Sequence, residues 1–171
     1  MADPASGYCG FGTSGLIHSI YTPGMRTEKL VVDDVAAAAL PLVEASIVSA
    51  VAERGRAVLA LCGGSSPVPL FRLLAQADLP WHHVWITFGD ERFVPVEHAH
   101  SNAGAAIREF LGEVPVPREQ LLTWPILEDP AESAHAYRER LEAAFGGFPT
   151  FDLNLLGLGD DGHTASLFPG S

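Results

Sequence analysis

Three short apolar runs, residues 57–62, 84–88 and 151–156, are each followed at once by a polar segment containing glycine, and stretches of helical composition separate them. Runs this short and this apolar read as buried strands. Strands that alternate with helices assemble as βαβ units into a parallel sheet, which needs apolar cover on both faces. The chain is therefore predicted to be α/β, an open and mostly parallel sheet with helices on both faces. In such sheets ligands bind outside the carboxyl ends of the strands. The segments 63–66, 89–92 and 157–164 fall at those ends and are the places to look for chemistry.

The helices follow from caps and breakers. Residues 33–54 are rich in Ala, Leu and Val, with Asp33 or Asp34 as N-cap, Gly55 just past the end and a kink expected at Pro41. A second helix should run from Pro67 to about Ala77 with Ser66 as its cap, since proline is tolerated in the first helical turn. Ser101 and Asn102 can cap a third through Leu111, and Asp129 with Pro130 opens a fourth over 131–145. Residues 1–24, rich in Gly, Ser and Thr without a sustained period, are expected to form a weakly ordered extension. Residues 25–171 are read as one α/β domain, because a chain of 171 residues with 47% hydrophobic content can bury a single core.

Charge limits the partners. The formal net charge is −11 and Lys29 is the only lysine, whereas binding to nucleic acid or to anionic membranes requires clustered cations. A small anion held by local donors stays compatible. The most apolar stretch, 35–52, is interrupted by Pro41 and Glu44, short of the roughly 18 uninterrupted apolar residues of a membrane span. The start of the chain lacks the basic, apolar and small-residue blocks of a signal peptide. Cys9 and Cys62 are far apart and Cys62 falls in a run read as buried, so no disulfide framework is expected and a reducing cytoplasm fits. His82, His83, His98 and His100 lie on a connection without metal-ligand spacing and read as solvated loop residues.

Each strand-end segment carries a possible role. Gly63, Gly64, Ser65 and Ser66 lie between a strand and a helix, where backbone N–H groups can approach an anion such as a phosphate; a tight turn with a cap is the structural alternative. No Gly-Lys-Ser/Thr follows, so this is not a Walker loop. Asp90, Glu91 and Arg92 set two carboxylates and a guanidinium at the end of the second strand. Arg92 can clamp a phosphate through two parallel hydrogen bonds, although such a cluster is often only a surface ion-pair group. Residues 157–162 match the dinucleotide spacing G-x-G-x-x-G, but Asp160 and Asp161 put negative charge where a pyrophosphate would sit. The glycines, Gly159 and Gly162 among them, are better suited to let backbone approach a sugar. His163 follows that turn directly, and a histidine oriented by a neighbouring carboxylate such as Asp161 can take a proton from water near neutral pH.

Together, Gly-Gly-Ser-Ser-Pro at 63–67, Asp-Glu-Arg at 90–92, Ser-Asn at 101–102 and Gly-Leu-Gly-Asp-Asp-Gly-His-Thr-Ala-Ser-Leu-Phe-Pro at 157–169 resemble the 6-phosphogluconolactonase family. The resemblance covers roughly residues 28–170. It implies the Rossmann-like fold shared with glucosamine-6-phosphate deaminases, and hydrolysis of 6-phospho-glucono-δ-lactone without a redox cofactor or metal. It further implies that His163 activates water with Asp161 orienting it, that Gly63 to Ser66 and Arg92 hold the phosphate, and that Asp90 meets sugar hydroxyls or holds Arg92. The substrate would be a small sugar phosphate lactone and the protein a monomer or weak homo-oligomer. Members of that family continue well past the His turn, so the last sheet units and a basic phosphate ligand are expected beyond Ser171. The rival reading is a glucosamine-6-phosphate deaminase or isomerase, which continues Ile-Ala-Phe-Asn-Glu-Pro after a similar turn. Here Phe168 takes the place of that glutamate and cannot move a proton. A non-catalytic sugar-phosphate-binding module is the third reading, and it would not need the Asp161 and His163 pair.

Overall fold

In the computed structural model, residues 28–170 are described, so the extension predicted over 1–24 lies outside them. The compact unit that carries the sheet begins at Val35. Its elements are helix α1 (Val35–Arg54), strand β1 (Ala57–Leu61), helix α2 (Val68–Leu74), strand β2 (Val84–Phe88), helix α3 (Asn102–Ala106), helix α4 (Pro130–Phe145) and strand β3 (Leu153–Asn154). Helix α3 continues as a π-helical turn over Ile107–Leu111. The strands form one parallel sheet in the order β2-β1-β3.

Register and alternation decide which helix covers which face. Ala57, Leu59 and Leu61 sit opposite Val84, Ile86 and Phe88, and these side chains share one buried cluster with Val43 and Ile47 of α1, Phe71 and Leu74 of α2 and Ala106 of α3. The intervening residues point the other way, as the two-residue period of a strand requires. On that side Trp85 packs with Leu122 and with Tyr137 and Leu141 of α4. Helices thus cover both faces, as the strand pattern predicts. All five residues of β1 are buried, and its three large aliphatic side chains, Val58, Leu59 and Leu61, each contribute about 1.5–3 kcal/mol.

Several local expectations shift. Pro67, not Ser66, is the N-cap of α2, no side-chain hydrogen bond caps that helix, and it ends at Leu74 before the expected Ala77. Helix α1 runs uninterrupted with Pro41 inside it, and by length and composition it is apolar enough to cross a membrane, although Pro41 and Glu44 had argued otherwise. One face of it, Val43, Ile47 and Ala50, is buried in the core described above. The third strand pairs with β1 only at Leu153 and Asn154, with flanking bonds from the Asp152 N–H to the Val58 carbonyl (2.8 Å) and from the Leu155 N–H to the Ala60 carbonyl (2.9 Å). The caps of α3 and α4 fall where expected: Ser101 accepts from the Gly104 N–H and Asp129 from the Ala131 N–H.

The end of β2 is pinned from below by a buried tyrosine. The Tyr137 hydroxyl accepts from the Phe88 N–H (3.0 Å) and donates to the Leu122 carbonyl (3.1 Å). Trp124 stacks on the phenol at 4.3 Å and donates its indole N–H to the Phe88 carbonyl (3.2 Å). Burial pushes the phenol up to about 12, so it stays protonated. Replacing Tyr137 by Phe strands the buried Phe88 N–H, and denaturant unfolding should register a loss of about 1–3 kcal/mol; unchanged stability would deny the hydroxyl this role.

Candidate active site

Because the strands are parallel, their carboxyl ends share one edge of the sheet, and the segments leaving them wall a cleft of about 440 Å³. Gly63, Gly64, Ser65 and Ser66 come from the end of β1, Asp90 and Arg92 from the end of β2, and Gly159 and His163 from the segment after β3. Asp161 and Gly162 belong to the same turn but do not line the cleft. The cleft is also lined by Cys62, Asn102, Leu158, Asp160 and Ala165. Cys62 is half-buried at the cleft, not sealed inside the strand, and burial is the main cause that raises its thiol pKa, with the Asp90 charge adding to it.

The His163 turn is held by its own backbone and side chains. The Gly159 N–H donates to the His163 carbonyl (2.8 Å) and the Gly162 N–H to the Gly159 carbonyl (2.9 Å). Gly162 has φ +85°, in the left-handed region that favours glycine. Asp161 Oδ1 accepts from the His163 backbone N–H (3.1 Å) and lies 2.5 Å from His163 Nδ1. Phe168 stacks on the imidazole with ring centroids 4.8 Å apart. A Cβ at Gly159 would lie 2.2 Å from imidazole Nδ1 and Cε1, so glycine there is what lets the ring lie against the backbone.

The second wall is organised by Glu91, which sequence reasoning treated as one of two carboxylates with no separate task. Its Oε1 accepts from the N–H groups of Arg92 (2.7 Å) and Asn102 (2.6 Å), and its Oε2 from the Ala103 N–H (2.9 Å) and the Ser101 hydroxyl (3.0 Å). A carboxylate at a helix N-terminus satisfies the first N–H groups and the local dipole together. Here it also locks the Arg92 backbone to α3. Among the described residues Arg92 takes part in no ion pair, which leaves its guanidinium, on the cleft wall, for an anion.

Asn102 is the other residue the sequence underrated. Its amide donates to the Asp90 carbonyl (3.1 Å) and to Asp90 Oδ1 (3.3 Å), and it lies so close over Gly63 that a Cβ there would fall 1.8 Å from its Oδ1. The pair Ser-Asn reads as a cap from sequence, and only the fold shows that the second member reaches back over the loop after β1. Among the described residues no group of three or more His, Cys, Asp or Glu side chains gathers to hold a metal ion.

Residues 31–171 match a family model described as glucosamine-6-phosphate isomerases/6-phosphogluconolactonase. The chain is 46% identical over 136 residues to a 6-phosphogluconolactonase of Synechocystis, covering 77% of this chain and 57% of that protein. It is 40% identical over 151 residues to one of Nostoc, covering 84% of this chain and 63% of that protein. The fold matches that of a 6-phosphogluconolactonase from Thermotoga maritima with a TM-score of 0.75 at 24% identity, over 81% of this chain and 62% of that one. The chain thus spans less than two thirds of the length of these relatives.

The hydrogen bond from the His163 side chain, followed by that from its backbone N–H, holds the Asp161 carboxyl below the usual aspartate range. A folded-state pKa that is lowered means the contact is complete above the ordinary aspartate value and is lost as pH falls through the lowered one. In a carbon-detected NMR titration Asp161 should therefore titrate below the normal aspartate midpoint, and should move back toward it in His163→Ala. A normal midpoint in the unaltered protein would mean the two side chains do not pair in solution.

Proposed function

The chain belongs to the glucosamine-6-phosphate isomerase/6-phosphogluconolactonase family, and from that membership we propose that it hydrolyses 6-phospho-D-glucono-1,5-lactone to 6-phospho-D-gluconate, the second step of the oxidative pentose phosphate pathway. The observation that carries this reading is the His163–Asp161 pair on the same cleft as the Arg92 guanidinium and the 63–66 loop. A base and an anion site on one cleft suit a substrate with an ester carbon at one end and a phosphate at the other.

The steps follow from those positions. Asp161, kept ionised, accepts the proton on His163 Nδ1, so the lone pair of the neutral ring is on Nε2. Nε2 takes a proton from water as its oxygen adds to the lactone carbonyl, giving a tetrahedral oxyanion. Collapse of that intermediate breaks the bond to the ring oxygen, and the imidazolium returns its proton to that oxygen as it leaves. Water is the only co-reactant and no oxidation state changes, so no redox cofactor is needed. Arg92 and the backbone of Gly63, Gly64, Ser65 and Ser66 take the phosphate, and binding at that remote end holds the carbonyl beside His163. Gly159, on the cleft wall, lets the turn approach the sugar, whereas Gly162 lies off that wall and serves the turn itself.

Phe168 favours this reading over isomerisation or deamination. Its ring is stacked on the imidazole, so the residue next to the base is apolar and carries no second proton-transfer group. A passive sugar-phosphate sensor would gain nothing from an ionised carboxylate 2.5 Å from the histidine.

The test is lactone hydrolysis followed by proton release. Turnover should exceed the spontaneous rate, His163→Ala should lower kcat by about 100-fold or more while 6-phosphogluconate still binds, and Arg92→Ala should weaken binding by about 10- to 100-fold with a smaller effect on kcat. Tight product binding by an unaltered protein that gives no turnover would favour the sensor. A loss of affinity in His163→Ala, paired with a loss of kcat in Arg92→Ala, would reverse the assignment.

A further inference from the structure

The two ends of the proposed site come from segments far apart in the chain. The phosphate-binding groups follow β1 and β2, whereas His163 sits on a turn after the short strand β3. The hydrogen bonds within that turn, from Gly159 to His163 and from Gly162 to Gly159, are local and cannot fix its distance from the other wall. A bond that can do so lies just beyond it. The Ser166 hydroxyl donates to Asp90 Oδ2 at 2.7 Å, across a sequence separation of 76 residues. The other Asp90 oxygen accepts from the Asn102 amide, which itself lies over Gly63. One carboxylate therefore joins the His163 segment, the start of α3 and the loop after β1.

The backbone beside Ser166 is held in a form it would not adopt freely. Ala165, which lines the cleft, has φ +50°, a conformation that costs a residue with a Cβ and persists only when its flanks are fixed. The paired bonds between Thr164 and Leu167 (3.2 and 2.9 Å) close the turn on both sides of it. The other restraint is the Ser166–Asp90 bond.

We propose that Ser166 and Asp90 form a latch that sets the distance between His163 and the phosphate-binding wall, and that both are positioning residues for the hydrolysis. The proposal rests on the lactonase reading, since it assigns His163 and the 63–66 loop to opposite ends of one substrate. It gives Asp90 a geometric task and not a charge-dependent one. An asparagine at 90 can keep both bonds, its Oδ1 accepting from Asn102 and its Nδ2 donating to the Ser166 oxygen, whereas alanine keeps neither.

Three variants test this: S166A, which alters an exposed side chain, D90A and D90N. A displacement of about 1 Å can lower a positioned reaction about 100-fold, so S166A should lose about 10-fold in kcat and D90A about 100-fold, while KM and the affinity for 6-phosphogluconate stay within about twofold in S166A. D90N should keep at least about tenfold more turnover than D90A. In parallel, the His163 ring resonances of the free protein should shift or broaden in S166A and D90A, and stay near those of the unaltered protein in D90N. The latch is overturned if S166A keeps both the kcat and the His163 resonances of the unaltered protein, if it loses affinity with kcat intact, or if D90N is as impaired as D90A. An unaltered protein without lactone turnover would sink the lactonase reading alone, and the His163 resonances would still judge the latch.

Discussion

The structure depends on β1 being paired in parallel on both of its edges. All five of its residues are buried, and a strand so enclosed cannot leave its N–H and C=O groups without partners. It bonds to β2 along its whole length and to β3 at Leu59 and Ala60. The Asp152 carboxylate also accepts the Val58 N–H at 2.7 Å, and the Thr87 hydroxyl donates to the Leu59 carbonyl at 3.0 Å. With both edges and both faces committed, β1 has one free direction, its carboxyl end, and the chain turns there into Gly63 and Gly64. Strand β2 runs on one side and β3 on the other, so the segments leaving all three strands meet where the order of connection reverses about β1. An α/β sheet places ligands at that crevice for this reason.

What closes the crevice into a site is a pair of close approaches that only glycine allows. At Gly63 the approaching group is the Asn102 amide and at Gly159 it is the His163 imidazole. In both cases a polar side chain rests on bare backbone, which brings the walls together without filling the space a substrate needs. The rigidity comes from charge. Glu91 gathers three backbone N–H groups and a hydroxyl around the start of α3, and Asp161 draws in both the ring and the backbone of His163. Carboxylates that accept several N–H bonds are among the stronger devices available at a partly exposed surface, because a hydrogen bond to a charged group contributes about twice what a neutral one does.

Much of this was legible in the sequence because the signals were local. Apolar runs ending in glycine located the strands and their loops, Ser101 and Asp129 announced helix starts, and the order Asp161, Gly162, His163 put a carboxylate within reach of a histidine. Long-range geometry was not legible. Nothing near Asn102 says that its side chain folds back over Gly63, and nothing near Ser166 says that its partner is Asp90, since both contacts exist only once β1 and β2 are in register and the segment after β3 is in place. The cap of α2 failed for a different reason: Ser66 and Pro67 both fit a helix start, and Pro67, with φ fixed by its ring, occupies the N-cap while Ser66 stays on the cleft wall. The short pairing of β3 was hidden because an apolar run from 151 to 156 says how many residues can be buried and not how many find a neighbour.

The position that separates the chemistries open to this scaffold is the one stacked on His163. A histidine held by a carboxylate at a strand end can serve hydrolysis or proton transfer between sugar carbons, and the sheet that presents it does not distinguish them. Isomerisation needs a second group able to give or take a proton beside the first. Phe168 fills that neighbourhood with a ring stacked at 4.8 Å on the imidazole. An aromatic face there covers one side of the imidazole and offers it no proton, while Asp161 Oδ1 lies 2.5 Å from its Nδ1. Under the proposed lactonase reading, His163 with Nδ1 held by Asp161 keeps Nε2 to take a proton from water and return it to a leaving oxygen, which is the full proton inventory of lactone opening.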